Sequence, residues 1–421
     1  MRRAATKYKQ VPYPSCSLVV GKYVRTVPTE GKNQPRSFAG LQHRGRSKKH
    51  KMATFIDDQH SSKRLRSDDG HAITVFHPYQ SHQDEVDIRT SSLAEPTMRL
   101  LGHKGSIYSL AFDPNGECLC SGSFDMTCLL WNASGRCDNF NVLVGHKNAI
   151  LDVKWSSDSE HIVTASADKT LGWYDACTGD RIKRFMGHSK VVNAVDTTRG
   201  EGTSPTLVVS ASDDATVRLW DARVRGHVMQ LTHKYQVTSV AFSLDAHTVY
   251  TGGIDNVITA FDIRSDKAMS SSANNHKQRG NTEATEGEQI MTMKGHTDTI
   301  TCLSVSPDGT QLLSNSMDGS IRSWDIRPFV TGNIRRRKTF LGGTHNAEKG
   351  LLNCSWSADG TMISGGSADR IVHVWDESSA EELYYLPGHT GCVNSVIFHP
   401  KEYLIASGSS DKTVYIGELA H

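Results

Sequence analysis

Long apolar runs are missing from the start of this chain. The longest early one, SLVV at 17–20, is too short for a signal peptide or a membrane span, so a soluble protein that is not secreted is expected. The nine cysteines show no metal-like pairing. Cys118 and Cys120 stand two apart with no second pair to complement them, which points to free thiols in a reducing compartment. No glycine-rich phosphate-binding loop is present, and no cofactor is expected. Residues 1–96 lack any sustained period of 2 or 3.6 and are rich in Ser, Gln, His, Lys and Asp, a composition that cannot bury enough apolar surface to offset chain entropy. They read as a disordered extension, with a folded region over 97–421.

Basic charge is also scarce where a nucleic-acid-binding surface would need it. Residues 1–52 hold 13 Lys plus Arg against Glu30 alone, a net +12, which leaves 34 basic against 44 acidic residues, a net −10, for 53–421. Binding a phosphate backbone needs clustered Lys and Arg on the binding surface. Any RNA contact is therefore expected to be indirect, or to run through the extension and one basic stretch, 327–338, read as a loop. In the extension, Lys48, Lys49 and Lys51 form one K-K-x-K cluster, and Lys63, Arg64 and Arg66 form a K-R-x-R cluster; both suit nuclear import. Pro12, Pro14 and Pro28 argue against the amphipathic helix of a mitochondrial transit peptide. Met52 offers a second plausible start.

What the sequence does have is a repeated unit, seen most clearly at 295–325, GHTDTITCLSVSPDGTQLLSNSMDGSIRSWD. TITCLSV alternates apolar and polar residues as a half-buried strand does, SPDG is a type I turn, and TQLLSNS and SIRSWD are two further strands joined by a tight Met-Asp-Gly turn. Landmark histidines recur at His103, His146, His188, His233, His296, His345 and His389, with gaps of 43, 42, 45, 63, 49 and 44. An Asp follows each by 22 to 26 residues, and six residues beyond that Asp stands Trp131, Tyr174, Trp220, Phe261, Trp324, Trp375 or Gly417. Four strands per period of 40 to 45 residues with a GH…WD signature predict an all-β, seven-bladed WD-repeat β-propeller. The last repeat stops after three strands, so TMRLL at 97–101 is expected to dock as its fourth and close the ring. The long fourth gap is attributed to a disordered insertion at 265–289.

His, Ser, Asp and Trp recurring together could suggest a hydrolase triad. A catalytic site needs one such set in a pocket, whereas seven copies at a structural period read as scaffolding. His103, Ser121, Asp125 and Trp131 form the first set; His188, Ser210, Asp214, Trp220 and His296, Ser314, Asp318, Trp324 repeat it. The hydroxyl is expected to bridge the imidazole and the indole N–H while the Asp holds the other imidazole nitrogen. Phe261, Gly365 and Gly417 interrupt the pattern, so the fourth, sixth and seventh blades are expected to depend less on it.

Function is therefore sought on the surface. Around the apolar position four residues after each landmark His, and at the residue before each repeat Asp, the pattern places side chains on one ring face beside the central channel. Tyr108, Phe124, Leu151, Ile254, Met317 and Leu352 are the large apolar ones and Asp213 is the charged one. An apolar, polar-rimmed patch of this kind marks a protein-binding face.

More specific strings stand between the landmarks: CDNF at 137–140, GGIDN at 252–256, WDIRPF at 324–329, HNAEKGLLNCSWS at 345–357, GSADR at 366–370 and SSDKTVYIGE at 409–418. In this order they resemble the family of WD-repeat subunits of the U5 small nuclear ribonucleoprotein of the spliceosome. The resemblance runs over about 97–421 and implies a nuclear, non-catalytic scaffold in pre-mRNA splicing, a monomer within its complex that binds the particle's large scaffold protein. A second reading rests on WDAR at 220–223, FDIR at 261–264 and WDIR at 324–327, which resemble the box of propellers that serve cullin-RING ubiquitin ligases as substrate receptors.

Overall fold

In each repeat the apolar alternation and the polar turns act together to give a four-stranded antiparallel sheet, and seven such sheets follow one another along the chain. The structure, a computed structural model, describes residues 91–200, 204, 206–264, 287–329, 335–345 and 350–419. In the fifth blade the strands are Ile300–Val305, Gln311–Ser316, Ser320–Asp325 and Arg336–Leu341, from the channel outward. The SPDG turn closes through Gly309 N–H to Ser306 O at 2.9 Å, with Gly309 at a φ of 69° that favours glycine.

The turn after each repeat Asp has one recurrent conformation. The residue following that Asp has positive φ in every blade: Met126, Lys169, Ala215, Asn256, Gly319, Arg370 and Lys412. The left-handed conformation is disfavoured for a side chain, and the Asp carboxylate offsets the cost by accepting the N–H two residues on, as in Asp318 from Ser320 at 2.9 Å and Asp411 from Thr413 at 3.0 Å.

Blades pack because small residues let their neighbours in. A Cβ on Gly122 would come within 2.9 Å of Ile150, and one on Gly252 within 2.8 Å of Ile300. Gly365, where the repeat elsewhere carries a hydroxyl, is explained the same way: a Cβ there would lie 2.4 Å from Ile321. The ring closes as expected, Thr97–Leu101 pairing antiparallel with Thr413–Glu418 from Thr97↔Gly417 to Leu101↔Thr413.

Three expected boundaries move. Residues 91–96 belong to the ring: Leu93 is buried in the cluster that also holds Cys137 and Leu404, Ala94 N–H donates to Gly135 O at 2.7 Å, and Ser92 donates from N and Oγ to Glu402 Oε2 at 3.0 and 3.1 Å. One buried leucine held by backbone bonds has no period to reveal it. The insertion is also shorter than expected, because Glu288 and Gln289 open the outer strand Glu288–Lys294. In the same way Arg336, Arg337 and Lys338, expected in a loop, form the outer strand Arg336–Leu341. Outer strands face water on one side and so tolerate polar sequence. Residues 1–90 with both basic clusters, 265–286, 330–334 and 346–349 lie outside the described residues.

The repeated polar set forms the expected chain of hydrogen bonds. In the fifth blade His296 Nδ1 donates to Asp318 Oδ2 at 2.8 Å, Ser314 Oγ donates to His296 Nε2 at 2.7 Å, and Trp324 Nε1 donates to Ser314 Oγ at 2.8 Å. These roles fit a neutral imidazole, since the hydroxyl has one proton to give and accepts from the indole. His103–Ser121–Asp125–Trp131 and His188–Ser210–Asp214–Trp220 repeat the arrangement with all three contacts between 2.7 and 3.0 Å.

The interrupted blades diverge from one another. In the fourth, Phe261 cannot donate, and His233 Nε2 is buried with no partner among the described residues. In the sixth, His373 takes over: its ring stacks on Trp375 and its nitrogens face Asp369 at 2.9 Å and Glu382 at 2.5 Å, while the indole donates to Leu341 O. The seventh departs from expectation, because His389 keeps Asp411 at 3.0 Å and Ser407 at 2.9 Å, so it lacks the indole and nothing else.

Two predictions follow from this unevenness. Asp318→Ala leaves the His296 and Thr297 donors unpaired and should cost about 1–3 kcal/mol in denaturant unfolding, whereas Asp255→Ala should cost clearly less, because the contact Asp255 shows to a donor is the 3.3 Å one from Val257 N–H. Equal costs would contradict the network. The second concerns acid. Burial alone would raise the Asp318 carboxyl, but hydrogen bonds from Ser320, His296 and Thr297 N–H outweigh it and hold the group down to about 2. Its stabilisation is complete above the unfolded value of about 4 and is lost as pH falls toward about 2. Burial lowers His296 in spite of its Asp partner, and that contribution is lost as pH falls below about 6.5. Stability measured by urea titration should therefore decline from pH about 6.5 and more steeply below about 4; a flat profile would contradict it.

Candidate protein-docking face

The start of each inner strand and the turn before each repeat Asp are tied together by one backbone bond, which decides where their side chains go. Phe124 N–H donates to Ser106 O at 2.8 Å, Asp213 to Val191 O at 3.0 Å, Ile254 to Gln236 O at 3.3 Å, Met317 to Thr299 O at 2.9 Å and Ser410 to Cys392 O at 2.9 Å. Two positions per blade are thereby held side by side at the end of the ring where the inner strands begin. Phe124 and Ile254 are 56% and 42% exposed, and Tyr108, Leu151, Met317 and Asp213 are half-buried. The Tyr108 and Phe124 rings meet edge to face with centroids 6.5 Å apart, a preorganised aromatic pair.

Leu352 does not join this face. It is only 2% exposed, because the inner strand of the sixth blade is cut to Cys354–Trp356 and strand alternation does not extend back to it. Its carbonyl accepts from Thr301 Oγ1 at 2.9 Å and Asn315 Nδ2 at 3.0 Å, the role that Ile107 O and Val237 O play in other blades. Leu352 thus takes the core position that counting assigned to Leu351, which is half-buried.

Several neighbours of the core position also turn inward. Asn193 donates to Val237 O at 3.0 Å, Thr238 to Ile300 O, and Asn394 to Ile107 O at 2.6 Å, each a bond to the next blade. These side chains are buried and pin the ring, which leaves Tyr108 and Leu151 as the large ones of that position with surface exposed. Asp213, the charged member, accepts from Asn193 Nδ2 at 2.8 Å and is held in place by that bridge.

Part of the apolar surface lies outside the counted positions. Leu101, Met186 and Leu341 end outer strands just before a glycine, Val144 stands between the outer strand Asn139–Leu143 and a glycine, and these four residues at the same end of the ring are 45%, 67%, 67% and 60% exposed. Met126 and Tyr235, at 43% and 46%, add to it. The available signal is a recurrent apolar residue ahead of glycine, at a strand end where water contact is otherwise expected. Ser121, Ser210 and Ser314, by contrast, have no exposed surface, and each lies between an imidazole and an indole, out of reach of a substrate.

At the opposite end, the Arg of each W-D-x-R-like string forks onto its own Asp. Arg223 Nη2 meets Asp221 at 2.7 Å, Arg264 Nη2 meets Asp262 at 2.7 Å, and Arg327 closes on Asp325 in the same way. One edge of each guanidinium, Nε and Nη2, is thus engaged within the blade.

The description WD domain, G-beta repeat matches seven segments of the chain: 94–132, 137–175, 179–221, 225–262, 287–325, 338–376 and 380–416. The U5 small nuclear ribonucleoprotein 40 kDa protein of Dictyostelium discoideum is 47% identical over 331 residues, covering 79% of this chain and 86% of that protein. Its human counterpart is 44% identical with the same coverage. Pre-mRNA-splicing factor cwf17 of Schizosaccharomyces pombe is 37% identical over 371 residues, 88% of this chain and 99% of that protein. With the seven blades, their closure and the repeated polar network, these similarities show that the chain belongs to the WD-repeat β-propeller family, close to the U5 small nuclear ribonucleoprotein 40 kDa proteins.

Proposed function

We propose that this protein is a non-catalytic scaffold of the U5 small nuclear ribonucleoprotein, acting in pre-mRNA splicing by holding the particle's large scaffold protein against the apolar ring face. Relatives named for that particle and for splicing support the setting. The observation that carries the mode of action is the face itself, where Tyr108, Phe124, Leu151, Ile254 and Met317 sit on a rigid frame around the channel mouth. Aromatic and large apolar anchors held rigidly dominate interface energetics, because little conformational entropy remains to be lost on binding. The reading of the chain as a ligase receptor is weakened by the three Arg residues being engaged with their own Asp partners.

Replacing Tyr108, Phe124 and Ile254 together by Ala should leave melting nearly unchanged, since all three keep exposed surface. At roughly 1–2 kcal/mol per anchor, association with the splicing proteins should weaken by more than about a hundredfold. Changing Arg335, Arg336 and Arg337 to Ala should alter mainly its salt dependence, as rim charges do. Affinity purification checks both. Loss of splicing proteins with the Arg variant and retention with the face variant would place docking on the ring's side, and capture of a cullin adaptor would support the ligase reading.

The protein is proposed to work in the nucleus, with Lys48, Lys49, Lys51, Lys63, Arg64 and Arg66 as import determinants. Chains lacking residues 1–51 should still enter their complex, and chains lacking 1–66 should accumulate less in the nucleus by imaging. Full accumulation of the shorter chain would mean import together with a partner.

A further inference from the structure

Two cysteines of neighbouring blades meet at the central channel. Cys302 lies on the inner strand Ile300–Val305, half-buried, among the residues lining the channel with Asp152, Lys154 and Asn353. Cys354 opens the short strand Cys354–Trp356 of the next blade and is buried. The Cys302 side chain packs against the cluster containing Cys354, and its thiol donates to the Cys354 carbonyl oxygen at 3.7 Å. We infer that Cys302 and Cys354 form a peroxide-sensitive dithiol that closes to a disulfide between the fifth and sixth blades.

The chemistry divides between the two sulfurs. The Cys302 thiolate attacks one oxygen of hydrogen peroxide, the O–O bond breaks, and the sulfur becomes a sulfenic acid as hydroxide leaves and is protonated to water. The Cys354 sulfur then attacks the sulfenic sulfur, its hydroxyl leaves as a second water, and the S–S bond forms. Two thiols and one peroxide give one disulfide and two waters.

Of this pair, Cys302 is the residue suited to react first, since Cys354 is buried and Cys302 only half-buried. The contact with Cys354 and the Lys154 ammonium lower its thiol, while burial and the Asp152 carboxylate oppose them. Two other cysteines differ: burial pushes Cys118 up to about 11 and Cys137 up to about 12. Cys120 and Cys128 share one hydrophobic cluster but are both fully buried, and burial raises Cys120 strongly, so they serve as an internal control. The sixth blade gives the bond a structural meaning, because its inner strand is the shortest of the seven and its landmark histidine is replaced by His373.

The test uses the full chain treated with hydrogen peroxide, quenched with an alkylating agent and mapped by mass spectrometry without reduction. A peptide pair joined through Cys302 and Cys354, two hydrogens lighter than its parts, is expected, with Cys120 and Cys128 unlinked. Cys354→Ser should leave Cys302 trapped as a sulfenic acid that dimedone captures, and Lys154→Met should slow that capture at neutral pH by about tenfold for a one-unit rise in the thiol's pKa. Oxidation of Cys302 to sulfinic acid in the unmutated chain without the linked pair, or linkage of Cys120 to Cys128 at the same rate, would overturn the inference.

Discussion

A neutral imidazole held between a carboxylate and a hydroxyl ties each regular blade together. In the fifth blade the His296 ring fixes the loop entering the inner strand, the Asp318 carboxylate fixes the turn between the second and third strands, and the Ser314 hydroxyl passes the connection to the Trp324 indole. Along this chain from indole to carboxylate each donor has an acceptor, which is the condition under which buried polar groups stabilise and make a fold specific. With the loop and the turn fixed at the same end, the side chains beside them are presented from a rigid frame. The docking face is in this sense a by-product of the hydrogen bonds beneath it.

Because each blade carries its own copy, the ring can lose the network locally. Phe261 leaves His233 Nε2 without a partner among the described residues, and the sixth blade reroutes through His373, Asp369 and Glu382. Bonds between blades make up part of the difference: Asn193 to Val237 O, Thr301 to Leu352 O and Asn394 to Ile107 O link neighbouring inner strands around the channel. Polar side chains near the channel therefore hold the circle closed, and the apolar ones that cannot do so form its exposed surface.

The period of the landmarks made the ring, its blade number and its closure by Thr97–Leu101 legible, because propeller geometry requires the same residue types at each recurrence. Features outside that period were harder to read. Leu93 anchors the segment before the first strand through one buried contact, Glu288 and Arg336 begin outer strands whose polar composition resembles a loop, and Leu352 is displaced from its counted position where the inner strand is cut short. His373 has no counterpart in the repeat and gave no signal in advance. Of the face, Phe124, Ile254, Tyr108, Leu151 and Met317 keep exposed surface as counted, while Leu101, Val144, Met186 and Leu341, at or just past the ends of outer strands, emerged only once the strands had a direction in space.

The most direct test of the division between a buried frame and an exposed docking face is hydrogen exchange, read by mass spectrometry on the isolated protein and on the protein within its purified splicing complex. The account predicts new protection on binding at the turns around Phe124, Ile254 and Met317 and at the starts of the inner strands near Tyr108 and Leu151, with little change at the opposite turns around Asn115, Asp158 and Asp308. New protection confined to those opposite turns, with the Phe124 and Ile254 turns unchanged, would contradict it.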